Sequence, residues 1–346
     1  MSDRPLNDHG ITRRDAMRVL SAGAGLGAIA SGLSVSVASQ SPGIVRTILE
    51  DISPARLTGI TLFHEHLSMA RSGGQPIFYD DIALIADEVK ASAADSVSCI
   101  VDAGTAGLGR KIDALRAIAR QSGLFIVAGG GLHARSDYPP DVFRKSADQV
   151  ADDLVALAKT ERWGIIGEMG TGTAVPMDAE ERKGLQAAAK THMLTGLPII
   201  THVSDGCTRC AFDQVDLFES AGANLSRVVI GHLNDIQKDL AGAAIAIAKR
   251  GANLGFDHSG RPDDPRLDEY VRAILTVLEA GYEDRIFLSS DFGSTKYLRK
   301  NGGPGIDMTV TQFAPRLRRA GVSKARLRRI LVENPRQLLT FVPKSA

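Results

Sequence analysis

His64 and His66 close the apolar stretch "GITLFHEHL" (59–67), in a chain of 346 residues that has only 8 histidines. Side chains alternate along a strand, so both imidazoles fall on one face, about 7 Å apart. Alone, the pair could be two solvated histidines at a strand end. Further groups of the same chemistry end other apolar runs: Asp102 in "CIVDAG", Glu168 in "GIIGEMG", His202 in "PIITHV", and His232 in "VVIGHLND" with Asp235 beyond it. Asp257 and His258 end "NLGFDHSG", and Asp291 ends "IFLSSDFG". Imidazole together with carboxylate suits Zn²⁺, Mn²⁺, Fe²⁺ or Co²⁺, whereas calcium takes oxygen ligands alone. His64 and His66 are therefore read as two ligands to one metal.

Positioning such groups requires a frame. Apolar, β-type runs are expected as strands over 59–63, 97–102, 124–128, 164–167, 197–201, 227–231, 252–256 and 285–289. Helix-period stretches separate them, among them "DIALIADEVKASA", "RKIDALRAIARQ", "DQVADDLVALAKTE" and "AEERKGLQAAAKTHML". Nearly continuous apolar strands alternating with helices indicate a parallel sheet covered on both faces. Eight such units over roughly 300 residues fit a (β/α)8 TIM barrel better than an open doubly wound sheet. In that fold, chemistry gathers at the C-terminal ends of the strands, where these side chains stand. No low-complexity linker interrupts the expected single domain over residues 44–346.

The balance of 41 basic and 40 acidic residues gives no electrostatic case for nucleic acid or an anionic membrane surface. The N-terminus is different. "TRRDAMRVL" precedes a run without charge from Val19 to Val45, rich in Gly, Ala and Ser, and "SVA" ending at Ala38 has the small-x-small form of a signal-peptidase site. Arg13 and Arg14 before that run resemble the twin-arginine class, so residues 1–38 are expected to engage the twin-arginine export machinery and deliver a periplasmic or secreted protein. "GAGLGA" within the run has no strand or acidic partner around it to make a dinucleotide loop. Cys207 and Cys210 form an isolated C-x-x-C. Without a second pair a zinc site is discounted, leaving a small-loop disulfide or two reduced thiols.

The H-x-H of the first strand, the single histidines of "THVSDG" and "IGHLND" and the aspartate of "SSDFG" together resemble the amidohydrolase superfamily, and within it the phosphotriesterase-like family. The likeness runs from "GITLFHEHL" to "VENPRQLL". It implies a binuclear site with two divalent ions, zinc foremost and manganese, cobalt or iron as substitutes. By the same resemblance His64, His66 and Asp291 hold the buried ion, His202 and His232 hold the more exposed one, and Glu168 bridges them. Many relatives carry a carboxylated lysine at the Glu168 position, so this chain resembles a subgroup that uses glutamate. A water activated between the ions would be the nucleophile. Asp291 would accept its proton, with His258 and Asp235 relaying it outward, and Asp102 has no matching family role and is read as structural.

The resemblance implies a small-molecule substrate with an ester-type bond: a lactone, carboxylic ester or phosphotriester. A C–N hydrolase of the same superfamily and a non-catalytic metal-binding barrel are the rival readings, and a homodimer is left open. Lactone-hydrolysing members tend to carry an aromatic residue after strand 3 and an arginine after strand 7, where this chain has His133 and His258. The segment "STKYLRKNGGPGID" after Asp291 is expected to cover the site, and its Gly-Gly-Pro-Gly run reads either as a mobile lid or as an ordinary surface loop.

Overall fold

A computed structural model of the chain describes residues 43–72, 75–76 and 81–344, and the export segment expected over residues 1–38 lies outside them. The expected apolar runs form the strands β1 (Ile60–Glu65), β2 (Val97–Asp102), β3 (Phe125–Ala128) and β4 (Ile166–Thr171). They continue as β5 (Ile199–Val203), β6 (Val228–Ile230), β7 (Asn253–Phe256) and β8 (Ile286–Leu288). β1, β2 and β3 pair in parallel as one sheet, and β4 to β8 pair in parallel and in chain order as a second. The fold is α/β with parallel sheets.

The two sheets meet at both edges. Ala128 bridges Trp163, and the Gly164 N–H donates to the Ala128 carbonyl at 2.9 Å. At the other edge, the Asp291 N–H donates to the His64 carbonyl at 3.1 Å and the His66 N–H to the Phe292 carbonyl at 3.0 Å. Helices α1 (Ile82–Ala91), α2 (Ile112–Ser122), α3 (Ala147–Thr160), α4 (Ala179–Thr195), α5 (Thr208–Ser220), α6 (Leu240–Lys249) and α7 (Leu267–Glu279) alternate with the strands. Asp81, Ser146, Asp178 and Asp239 start four of them by accepting from first-turn N–H groups that would otherwise lack partners. None of the described helices is long and apolar enough to cross a membrane.

Strand alternation divides the core. Phe63, Cys99, Val101, Val127, Ile200, Val229 and Phe287 pack with one another on one face. Their neighbours Leu62, Ile100 and Ile126, and Ile199, Val228 and Ile230, pack into the clusters that contain helix residues. Full burial of each large apolar side chain contributes roughly 1.5–3 kcal/mol. A short hairpin (Val45–Arg46 with Asp51–Ile52) and Leu338 and Leu339 join the inner cluster, tying the two ends of the described chain to the same core.

Two local features aim the functional strands. β4 continues to Thr171, beyond the expected end at residue 167, with a register irregularity between Ile166 and Met169. Gly167 sits there at φ +122°, where a Cβ would lie 2.1 Å from the Ile200 carbonyl oxygen, so only glycine fits beside Glu168. Glu65, the last residue of β1 and between His64 and His66, points away from them and is buried. It accepts the Ser289 hydroxyl at 2.6 Å and the Phe292 N–H at 2.6 Å, which fastens the end of β1 to the segment carrying Asp291. Burial pushes its carboxyl up to about 7 despite these donors.

Candidate metal centre

Glu168 is the hub of the site. Its Oε2 lies 3.1 Å from His64 Nε2, 3.2 Å from His202 Nδ1 and 4.0 Å from His232 Nε2, while its Oε1 lies 3.4 Å from His66 Nε2. His66 Nε2 is also 3.0 Å from Asp291 Oδ1. Asp291 Oδ2 faces the other way, 3.3 Å from His258 Nε2, and His258 Nδ1 is 2.8 Å from Asp235 Oδ1. His64, His66, Glu168, His202, His232, Asp291, His258 and Asp235, which are spread over 228 positions of sequence, are thus gathered into one cluster. Two of them hold unusual backbone: His232 at φ 56° and Asp291 at φ 49° are in the left-handed region, which non-glycine residues seldom occupy. Such strain persists where surrounding contacts fix it; here the His232 N–H donates to Asp257 at 2.9 Å and the Asp291 N–H is tied to β1.

The electrostatics of this cluster call for a cation. Burial works against protonation of His64, yet Glu168 and Asp257 raise its pKa well above the ordinary imidazole value. His66 is likewise opposed by burial but driven up to about 10 by Asp291 and Glu168. Burial favours the neutral form of Glu168 and Asp291; His64 and His133 nonetheless hold Glu168 far down, and Arg261 with His258 and His66 does the same for Asp291. His202, unlike His64 and His66, goes down, to about 4, through burial and then the neighbouring His232. Three carboxylates thus draw positive charge onto His64 and His66. Both nitrogens of His64 are buried without a contact of hydrogen-bond geometry, as is His66 Nδ1. Divalent ions would replace the protons, with His64 Nε2 and His66 Nε2, the nitrogens that face Glu168, as donor atoms. The donor set of four imidazoles and two to three carboxylates fits them.

Three contributors were not assigned by sequence. Asp257 is buried and spans two histidines, with Oδ1 2.9 Å from His232 Nδ1 and Oδ2 3.1 Å from His64 Nδ1. Its place at the end of β7 beside His258 was the available signal, because alternation sends the two side chains to different partners. Arg261 donates from Nη2 to Asp291 Oδ2 at 2.5 Å and from Nε to the Ser290 carbonyl at 2.9 Å. It lies in an irregular loop, where no periodicity could have marked it. His133 stands with Nε2 3.8 Å from Glu168 Oε1 and Nδ1 2.9 Å from Asp137, on the side of the hub away from His258.

Asp102 accepts the Leu67 N–H at 2.6 Å and the Gly104 N–H at 3.1 Å, a structural use. The segment after Asp291 lines the cavity with Ser294, Lys296 and Tyr297, and the cavity holds about 290 Å³. The mobile lid expected from its Gly-Gly-Pro-Gly run meets a different arrangement. Arg299 pairs with the buried Glu88 of α1 at 2.6 Å and with Asp307 at 2.5 Å, and Glu88 also accepts the Arg299 and Ile306 N–H groups. The cover is thus tied to α1 on both sides of the Gly-Gly-Pro-Gly run. Cys207 and Cys210 form a disulfide at the start of α5.

The family model of the phosphotriesterase family matches residues 43–339. The chain is 32% identical to the phosphotriesterase homology protein of Escherichia coli (strain K12), over 81% of this chain and 97% of that one. It is 28% identical to the N-acetyltaurine hydrolase of Bos taurus, over 86% and 98% of the two chains. A solved structure, that of a resiniferatoxin-binding protein from Rhodobacter sphaeroides, superposes with a TM-score of 0.78 at 34% identity, covering 86% of this chain and 95% of the other. With its histidines and carboxylates gathered around Glu168 and a family match that spans nearly all of the described residues, the chain belongs to the phosphotriesterase family of hydrolases.

Proposed function

We propose that this protein is a divalent-metal-dependent hydrolase of ester-type bonds (lactone, carboxylic ester or phosphotriester), built on a closed (β/α)8 barrel with a binuclear site. The observation that carries this reading is Glu168 Oε2 within 3.1–4.0 Å of a nitrogen on each of His64, His202 and His232, with Oε1 turned to His66. A carboxylate with both oxygens so engaged suits a bridge between two ions. His64, His66 and Asp291 would hold one and His202 and His232 the other, zinc foremost and manganese, cobalt or iron as substitutes. Ions held there would supply a water with a pKa lowered to about 7 and polarise the scissile group.

The rest belongs to the chain's own residues. Asp291 Oδ2 takes a proton and passes it to His258 Nε2, which is held in place by Asp235 at Nδ1. Arg261 fixes the Asp291 carboxylate in that orientation, and Tyr297 and Lys296 close the cavity over it. A second reading, hydrolysis of an amide bond, is favoured by the similarity to proteins named N-acetyltaurine hydrolase. An amide leaves only after its nitrogen is protonated, and the proton held by His258 would return to it through Asp291, which lines the cavity.

We also read the protein as exported through the twin-arginine route to the periplasm or beyond. Arg13 and Arg14 before the uncharged run and the Cys207–Cys210 disulfide support this, because disulfides persist in oxidising compartments. The test of the activity is a hydrolysis panel on zinc- and manganese-loaded mature protein: lactones, aryl esters, organophosphates and N-acyl amides including N-acetyltaurine. Ester-type turnover at least tenfold above amide turnover supports the first reading, and the reverse ratio supports the second. Absence of turnover on every member by protein that holds its ions would overturn both.

A further inference from the structure

His133 faces Glu168 and lines the catalytic cavity, yet it has no part in the two-ion arrangement proposed above. Its place is built by backbone. The segment after β3 stays bonded to β4: the Gly167 N–H donates to the Gly130 carbonyl at 2.7 Å and the Gly170 N–H to the Leu132 carbonyl at 3.1 Å. A Cβ on Gly170 would lie 2.0 Å from the His133 carbonyl oxygen, so glycine is required where the two segments touch. Gly170 is also the partner of His202 in the pairing of β4 with β5. His133, Glu168 and His202 are therefore carried by three neighbouring segments bonded to one another.

The His133 ring is held as well. Asp137 Oδ2 is 2.9 Å from His133 Nδ1, and a carboxylate only accepts, so Nδ1 carries the hydrogen and Nε2 is the free end. Nε2 stands 3.8 Å from Glu168 Oε1, beyond hydrogen-bond reach. Two ligands bound at roughly 2.0–2.1 Å to a tetrahedral ion are about 3.4 Å apart. The separations from Glu168 to His202, 3.2 Å, and from Glu168 to His133, 3.8 Å, lie on either side of that spacing. One ligating atom from each of His133, Glu168 and His202 falls within 4.8 Å of the other two. Asp257 treats His232 in the same manner, 2.9 Å from Nδ1 with Nε2 turned to Glu168. A carboxylate on the outer nitrogen is the usual way a ligating histidine is oriented.

We propose that His133 is a further ligand of the more exposed ion, binding through Nε2 beside His202, His232 and Glu168, with Asp137 as its positioning residue. This rests on the two-ion reading. Unaltered protein, His133→Ala and Asp137→Asn are compared by elemental analysis, by zinc affinity from chelator competition, and by visible absorption after cobalt replaces zinc. The unaltered protein is expected to hold two ions. His133→Ala should keep one at its unaltered affinity, weaken the other at least tenfold, and change the cobalt spectrum as a nitrogen ligand is lost. Asp137→Asn leaves the ring in place and reports even if His133→Ala fails to fold. Its amide oxygen still accepts the Nδ1–H but without charge, so the same ion should weaken about three- to tenfold. Two ions in the unaltered protein, with affinities within threefold in both variants and an unchanged cobalt spectrum, would overturn this ligand and leave the two-ion reading standing. A loss spread equally over both ions would overturn it too. One ion or fewer in the unaltered protein would overturn the two-ion reading and this ligand with it.

Discussion

Asp257 Oδ1 is 2.9 Å from His232 Nδ1, and the same carboxylate meets His64 Nδ1 at 3.1 Å through its other oxygen. One carboxylate therefore fixes the tautomer of His232 by a hydrogen bond and stands as a charge beside His64 Nδ1, with each Nε2 turned toward Glu168. Asp257→Asn would place an amide donor against at least one of these nitrogens and leave a proton on the wrong one. Loss of such a partner costs roughly 10–100-fold in metal affinity or activity. Zinc affinity by chelator competition, together with kcat/KM, should both fall within that range. Values within threefold of the unaltered protein would remove Asp257 from this role.

Glu168 is a carboxylate already, whereas a lysine bridge must first be made with CO2. Metal-free protein should accordingly regain activity with zinc or manganese at a rate that added bicarbonate does not change. Glu168→Gln keeps the shape but removes the charge that His64 and His202 face, and it should lose at least one ion and most turnover. Retention of both ions with full activity would disqualify Glu168 as the bridge.

Metal removal should also be felt as stability. Without ions the clustered carboxylates are balanced by protonated imidazoles and by Arg261, and ions that bind the folded state alone add stability by mass action. Elemental analysis of protein purified without chelator is expected to give about two ions per chain. Stripped protein should melt several degrees lower and recover on zinc addition. A stoichiometry of one or less after reconstitution with excess metal speaks against the binuclear site.

Glu88 carries the cover of the cavity from α1, accepting two backbone N–H groups and the Arg299 guanidinium. Glu88→Ala strands those donors in a mostly buried setting, at a cost of about 2 kcal/mol. The melting temperature should fall, and the segment around residues 296–306 should become the first site of limited proteolysis. KM should rise more than kcat falls. An unchanged proteolytic pattern would mean that the cover is held by something else.

The paired arginines give the last expectation. Arg13 and Arg14 changed together to lysine should leave precursor in the cytoplasm, because the twin-arginine route reads that pair rather than charge alone. Fractionation of cells and detection of mature protein outside the cytoplasm at the unaltered level would refute the assignment.

Much of this protein is written locally. Strand periodicity alone puts His64 and His66 on one face, and apolar runs separated by helical patterns locate the strands within a few residues, because both depend only on near neighbours along the chain. The imidazoles and carboxylates at the strand ends then mark a candidate metal site, since parallel strands bring their C-terminal ends together. What remained hidden depends on distance in space. Nothing near Asp257 says that it spans histidines 25 and 193 positions earlier in the chain, and Arg261 reaches Asp291 from a loop without any period. Gly-Gly-Pro-Gly reads as flexible by its own chemistry, yet the segment is held by a glutamate more than 200 residues away. Which neighbour a side chain finds across the fold is fixed by packing and by the pairing of buried charge, and those are settled only when the whole chain has closed on itself.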